Sequence, residues 1–500
     1  MILLQRKLFN GYVLLIRASF LILLFGVLSF GRAFSILHIE ISHFPIFITE
    51  IILLISLPLI IVKKNDSLRI PPLFLSIVAV YFLFGLFYSL RGILEENLFV
   101  LRDFTVLCGY TLFLLLSLIC FDSVRPMKIF VSIIVTANLI ALFIGEILVL
   151  GLHSFWFYDF ISQAKTFQIG IVYGISSSFL LVFYNYFKNK VMRLFILGIV
   201  SANLYMFIIF GIRSLWVAVI CLSVFLMLVS GIRSMWKTYL KVLVSFIFVS
   251  AALFYVDFIV FKSPQLDVLI GRSKGFIYAI PKLSQNSAFS NRPDTEKLDK
   301  LTSKNELQNN INPLISDPKN KSVSESGFEV NKTSPLNESN KSEFRKESER
   351  IGYDNIIWRK KVWCQTIKFV SGSYLFGRGF GLYPSYNVWG IQKLRGPFLD
   401  SNITPTHNYF LTVFYKMGFL GLSLFLVINI YVFLYTIRHL KKCNSEFVKH
   451  VLIGVLGALV FWHITALFFD VIDSPPTSIL LWIFIGFIFA IIKLDKSVEA

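Results

Sequence analysis

The chain has 500 residues, of which 56% are hydrophobic, with a mean hydropathy of +0.71 and a formal charge of +19. Soluble domains carry roughly 45–50% apolar residues and few long uncharged runs, so a soluble globular fold is excluded. Apolar stretches of about 18 residues or more recur here, each able to cross roughly 30 Å of hydrocarbon, and their length excludes the short alternating strands of a membrane β-barrel.

An all-α polytopic membrane protein is therefore expected. Twelve spans are predicted, near 15–34, 44–62, 72–90, 104–121, 129–150, 169–187, 194–211, 214–230, 240–261, 415–436, 451–470 and 476–492. Arg17 and Arg32 bracket the first without a small-residue cleavage pattern, so it reads as a span rather than a cleaved signal. Three regions follow: a nine-span bundle at 1–261, a loop at 262–414 and a three-span bundle at 415–500.

Lysine and arginine in short loops set the orientation. With the N-terminus inside, 19 of them (Arg6, Lys7 and Arg125 among them) face the cytoplasm, and five, Arg32, Arg91, Arg102, Lys165 and Arg213, face outward. Both termini are then inside, with the loop outside. Much of the net positive charge is orientation signal and calls for no nucleic-acid partner. The segment GIRSLW at 211–216 is nearly repeated as GIRSMW at 231–236. Arg233, with Lys237 and Lys241, reads as cytoplasmic anchoring. Arg213 stands on the arginine-poor side at a tight joint, where a charge is costly without a partner.

The loop divides in two. Residues 284–350 are rich in Ser, Asn, Lys and Glu and poor in large apolar side chains, a composition expected to stay disordered. From Gly352 the spacing of Ile356, Trp363, Ile367 and Val370 predicts a helix with those residues on one face, and Arg359 on that same face. Such an arginine either snorkels to head groups or aims at an anion. Gly377, Gly379 and Gly381 alternate in SYLFGRGFGL, permitting positive φ or close backbone approach. His407 and Asn408 precede the tenth span, where Asn408 is also a natural helix cap. Arg102 reads as an interfacial anchor, His463 as an interhelical hydrogen bonder, and Glu146 as a minor candidate. The five cysteines are scattered, with no disulfide expected and no metal-ligand spacing among Cys, His and carboxylates.

Together, Arg213-Ser214, Arg359 with Trp363, Gly377-x-Gly379-x-Gly381, His407-Asn408 and Gly418 with Gly421 resemble the O-antigen ligase/polymerase family in order and in placement about one large exterior loop. The resemblance covers roughly 190–440. It departs in the length of 284–350 and in reading Gly-Ile-Arg-Ser at the first motif. What it implies is a GT-C-like membrane glycosyltransferase moving a glycan from undecaprenyl pyrophosphate to an acceptor hydroxyl at the periplasmic face of a bacterial inner membrane. The transfer would be inverting and metal-independent, with no cofactor. The acceptor would be lipid A-core for a ligase or a second lipid-linked glycan for a polymerase. Arg213 and Arg359 would hold the pyrophosphate, because guanidinium forks bind phosphate oxygens bidentately. His407 would act as base. Ser214, Asn408, Gly377, Gly379 and Gly381 would shape the substrate site. A transporter is the reading from another class, suited by twelve spans but expected to carry its charges near the midplane in repeated halves.

The orientation is open to direct test. Alkaline phosphatase fused after Asn320 is expected to be active, and the same reporter fused after Lys237 inactive; the reverse pattern inverts the topology.

Overall fold

A computed structural model describes residues 2–41, 44–62, 70–94, 99–150, 160, 166–260, 359–382, 406–469 and 475–498. The insert at 284–350, together with Lys165 and Ile356, lies outside the described residues.

The protein is a multi-pass helical membrane protein. Its helices are α1 (Ile2–Phe30), α2 (Arg32–Ser35), α3 (Ile48–Val62), α4 (Pro72–Leu94), α5 (Phe99–Leu107), α6 (Leu112–Cys120), α7 (Val124–Leu150) and α8 (Thr166–Tyr186). They continue with α9 (Lys190–Phe210), α10 (Arg213–Ser230), α11 (Ile232–Phe254), α12 (359–369), α13 (Tyr409–Leu440), α14 (Glu446–Ala466) and α15 (Pro475–Val498). Among the described residues, 11 segments are long and apolar enough to cross a membrane, counting α5 and α6 as one.

The second expected span is the exception. Its first residues, Phe44–Phe47, form strand β2 and pair antiparallel with β1 (His38–Ile41), placing Glu40 opposite Pro45. Only 15 residues remain for α3, about 22 Å at 1.5 Å per residue, against roughly 30 Å of hydrocarbon. The fourth span is broken rather than continuous, with a 3-10 turn at Gly109–Thr111 between α5 and α6. The tenth starts at Tyr409, not 415, because Asn408 caps it by accepting from the Leu411 amide at 3.0 Å.

The α5–α6 span, α8, α14 and α15 form the interior, their membrane-spanning windows 78%, 100%, 67% and 89% buried, against 6% for α11. Small residues bring α8 and α14 together. A Cβ on Gly174 would collide with the Phe461 ring, one on Gly457 with the Ser178 hydroxyl, and Ser178 donates to the Gly454 carbonyl at 2.8 Å. This is how apolar helices associate when lipid removes the hydrophobic incentive: by close backbone approach and interhelical hydrogen bonds. Asn138 donates to Asn203, which donates in turn to Ser177, at 3.2 and 3.0 Å, tying α7, α9 and α8 in the same way.

Gly174→Val is expected to cost roughly 1–3 kcal/mol through overpacking and to lower the thermal unfolding midpoint of the detergent-solubilised protein. Gly198→Ala, where a Cβ would meet nothing within 4 Å, should leave it unchanged or raise it. A Gly174→Val protein as stable as the parent contradicts this packing.

Candidate functional site

The site region lies at one end of the bundle. Gln168, at the start of α8, accepts from the Arg32 amide at 2.7 Å, and Phe167 stacks on Phe469 with ring centroids 3.7 Å apart. The Leu215 side chain fills the space over Gly170, while Trp462 packs against Tyr409 and donates to the Thr477 carbonyl at 2.7 Å. The ends of α1 and α14 and the beginnings of α8, α10, α13 and α15 therefore meet.

Helix α12 docks at this end by two groups. Arg359 donates through Nη1 to the Phe468 carbonyl at 3.3 Å, just beyond α14. The Trp363 indole donates to the Thr406 carbonyl at 2.8 Å. Its buried stripe is Val362, Thr366 and Val370, each 0% exposed, with Trp363 and Arg359 half-buried. Ile367, expected on that stripe, is 48% exposed. Threonine takes the buried position because its hydroxyl donates to the Val362 carbonyl one turn back, leaving no unpaired polar atom. Burial pushes the Arg359 guanidinium below its usual value, yet an arginine stays charged in proteins.

The glycine segment meets α13 where that helix breaks. Gly418 has φ 65° and ψ −166°, outside helical geometry. The break forfeits the bonds that would run from the Phe419 and Leu420 amides to the Tyr415 and Lys416 carbonyls. The glycine segment replaces all four. Arg378 and Gly379 amides donate to Tyr415 and Lys416 at 2.8 and 3.0 Å, while Phe419 and Leu420 amides donate to Tyr374 and Leu375 at 2.7 and 3.2 Å. Gly377 and Gly418 touch backbone to backbone, so a Cβ on either would fall inside the other's main chain. Gly377, Gly379 and Gly381 all have positive φ, at 71°, 94° and 75°.

Three side chains complete the clamp. Asp103 accepts from the Gly381 amide and from Lys416 Nζ, both at 2.6 Å; Lys416 also donates to the Leu382 carbonyl at 2.6 Å; Tyr88 donates to the Phe376 carbonyl. Lys416 and Asp103 are 1% and 0% exposed. Arg378, between two of the glycines, turns its guanidinium back onto the Phe369 and Ser371 carbonyls at the end of α12.

The remaining candidates fall as follows. Arg213 and Ser214 form the first turn of α10, both half-buried, beside the Leu215–Gly170 contact. His407 is half-buried with φ 50°, the one non-glycine residue with positive φ among the described residues, a conformation that costs energy and gathers at functional sites. Its neighbour Thr406 holds the turn by donating to the Asn408 carbonyl at 2.9 Å. Arg359 and His407 are thus linked through Trp363 and Thr406. Arg213 is linked to Arg359 through Leu215, Gly170 and the Phe167–Phe469 stack. His463 does not bond another helix: its Nδ1 pairs with the Leu459 carbonyl of α14 itself at 2.7 Å, and its Nε2 is buried without a hydrogen-bond partner. Asp103 and Lys416 were missed in the sequence, although a carboxylate and an ammonium inside apolar spans are themselves a signal.

No family model matches the chain, and no curated protein matches its sequence.

Removing one partner of the buried pair leaves an uncompensated charge, costing about 3–5 kcal/mol, whereas replacing both with apolar groups is often neutral. Lys416→Met and Asp103→Leu are each expected to reduce folded yield and thermal stability in detergent, with the double variant recovering most of the loss. Additive losses in the double variant contradict the pairing.

Proposed function

We propose that this chain is a membrane glycosyltransferase of the O-antigen ligase type, multi-pass in a bacterial inner membrane. In this reading it moves a glycan from undecaprenyl pyrophosphate to an acceptor hydroxyl of lipid A-core at the periplasmic face. The observation carrying the proposal is the docking of α12, whose Trp363 bonds the Thr406 carbonyl next to His407 and whose half-buried Arg359 bonds the Phe468 carbonyl, at the bundle end where α10 begins with Arg213.

The acceptor oxygen attacks the anomeric carbon, the bond from that carbon to the pyrophosphate oxygen breaks, and configuration inverts. The hydroxyl proton passes to a ring nitrogen of His407. The leaving pyrophosphate keeps the bonding electron pair, and the negative charge it develops is met by the forks of Arg213 and Arg359. Burial of Arg359 strengthens that interaction, because charges attract more in a water-poor site. The glycine segment acts at a distance from the chemistry, holding α12 and the head of α13 in register.

The broken helix and the buried Lys416–Asp103 pair give a specific opening to the transporter reading, since transporters bind cargo at such breaks. Here the chain's own residues 374–379 take up the four backbone groups freed at the break, and Gly381 and Leu382 bond the ion pair. Those groups are committed internally, and the transferase reading is the better supported. A repeat-unit polymerase of the same family would use the same donor chemistry with a second lipid-linked glycan as acceptor.

Glycan profiles of a deletion strain carrying plasmid variants test the proposal. Arg213→Lys, Arg359→Lys and His407→Ala are each expected to lose transfer by at least about a hundredfold, in line with removal of a charge-stabilising donor or general base, at normal membrane levels. Arg233→Lys should be silent. Unattached polymer accumulating on the carrier supports the ligase and single repeats the polymerase; activity retained by Arg213→Lys but lost by Arg233→Lys overturns the site.

A further inference from the structure

We propose that His439, Cys443 and Asp495 form a binding site for a divalent transition-metal ion of zinc's class. The site lies at the end of the bundle opposite Arg213, Arg359 and His407, and it is independent of the transfer reaction.

The three side chains come from three elements. His439 is in the last turn of α13, Cys443 in the connection to α14, and Asp495 near the end of α15. One ligand atom from each lies within 4.8 Å of the other two. His439 Nε2 and Asp495 Oδ2 are 3.0 Å apart, with side chains 11% and 6% exposed. The Cys443 thiol is half-buried beside them and donates to the Ser445 carbonyl at 3.5 Å.

Zinc holds imidazole nitrogen at about 2.0–2.1 Å, carboxylate oxygen at about 2.0–2.2 Å and thiolate sulfur at about 2.3 Å, which in a tetrahedron puts the donor atoms roughly 3.3–3.8 Å apart. The His439–Asp495 pair at 3.0 Å therefore needs to open by a few tenths of an ångström, and no pair of donors needs to close by more than about an ångström, within the reach of small rotamer changes. The donor set decides the class of ion. Calcium and magnesium take oxygen ligands, whereas one nitrogen, one sulfur and one oxygen suit zinc and its first-row neighbours. A thiolate and a carboxylate together neutralise a doubly charged cation, which matters where water is scarce. A histidine–aspartate pair alone would account for two of the three groups but not for the thiol placed against them. Three protein ligands leave the fourth position for water, and the bound ion ties the end of α13 to the end of α15.

The test uses the full-length protein in detergent. Metal content is measured by mass spectrometry, and cobalt added to metal-free protein is followed by its sulfur-to-metal charge-transfer absorption. The expected result is about one zinc ion per chain and a cobalt–thiolate band. Cys443→Ser should abolish the band, and both Cys443→Ser and His439→Gln should weaken zinc binding by more than roughly a hundredfold, beyond the roughly 10–100-fold that loss of an outer-shell partner typically costs. Cys443→Ser leaves the His439–Asp495 pair intact, so its size-exclusion profile should match the parent even where His439→Gln fails to fold. Absence of the band in the parent protein overturns the proposal. So does a band that survives Cys443→Ser and vanishes with Cys364→Ser, the exposed thiol.

Discussion

A transmembrane helix that breaks must find new partners for the amides and carbonyls it releases, because lipid offers none and each orphan costs several kcal/mol. At Gly418 of α13 this requirement is met by residues 374–379, which return a hydrogen bond to each of the four groups freed. Much of the neighbouring architecture follows from that exchange. Only residues without a Cβ can bring two main chains so close, hence Gly377 against Gly418. The segment leaving this contact must be held, hence the Gly381 amide on Asp103 and the Leu382 carbonyl on Lys416. Docking of α12 follows in turn, since Arg378 rises from the same segment to bond the carbonyls at its end.

The cations near this end of the molecule thereby separate into kinds. Lys416 is fully buried and paired with a carboxylate, a structural charge whose desolvation is offset by three short hydrogen bonds, two on Asp103 and one from Lys416 to the Leu382 carbonyl. Arg378 spends its fork on main-chain carbonyls. Arg359 bonds a single carbonyl through one of its nitrogens, at 3.3 Å, while half-buried. Five donors in a rigid fork far exceed the needs of one carbonyl. The turn at His407 adds a second sign of function, a side chain held in a backbone conformation its type rarely adopts.

Helices were legible in the chain because hydrocarbon thickness imposes long apolar runs, and their edges shifted where a cap or a strand intervened. Phe44–Phe47 looked like the start of a span because FPIF is apolar; its pairing with His38–Ile41 could not be read from hydropathy. The break at Gly418 was invisible for a different reason. Glycine inside an apolar helix is common in membranes, and only the segment supplied from residues 374–379 distinguishes a break from a packing contact. Arg359 was placed on the buried side of α12 correctly, but the stripe is turned so that Thr366 replaces Ile367, a choice that a hydroxyl bonded to its own helix makes possible and hydrophobicity does not predict. The chain of contacts joining Arg213, Arg359 and His407, through Trp363 and through Phe167, could not be read from the sequence. Asp103 and Lys416 were passed over, since they lie 313 residues apart and nothing local pairs them.

The order of the chain gives the Gly418 exchange a consequence for biogenesis. Residues 374–379 leave the ribosome before 415–420, by ~2–8 s at ordinary rates of synthesis. When the broken helix enters the bilayer, the strip that completes it has therefore already been made, so the two can dock as the helix partitions into lipid. Insertion of this span is then a joint event between an earlier segment and an arriving helix, and the glycines function as an assembly joint as well as an architectural one.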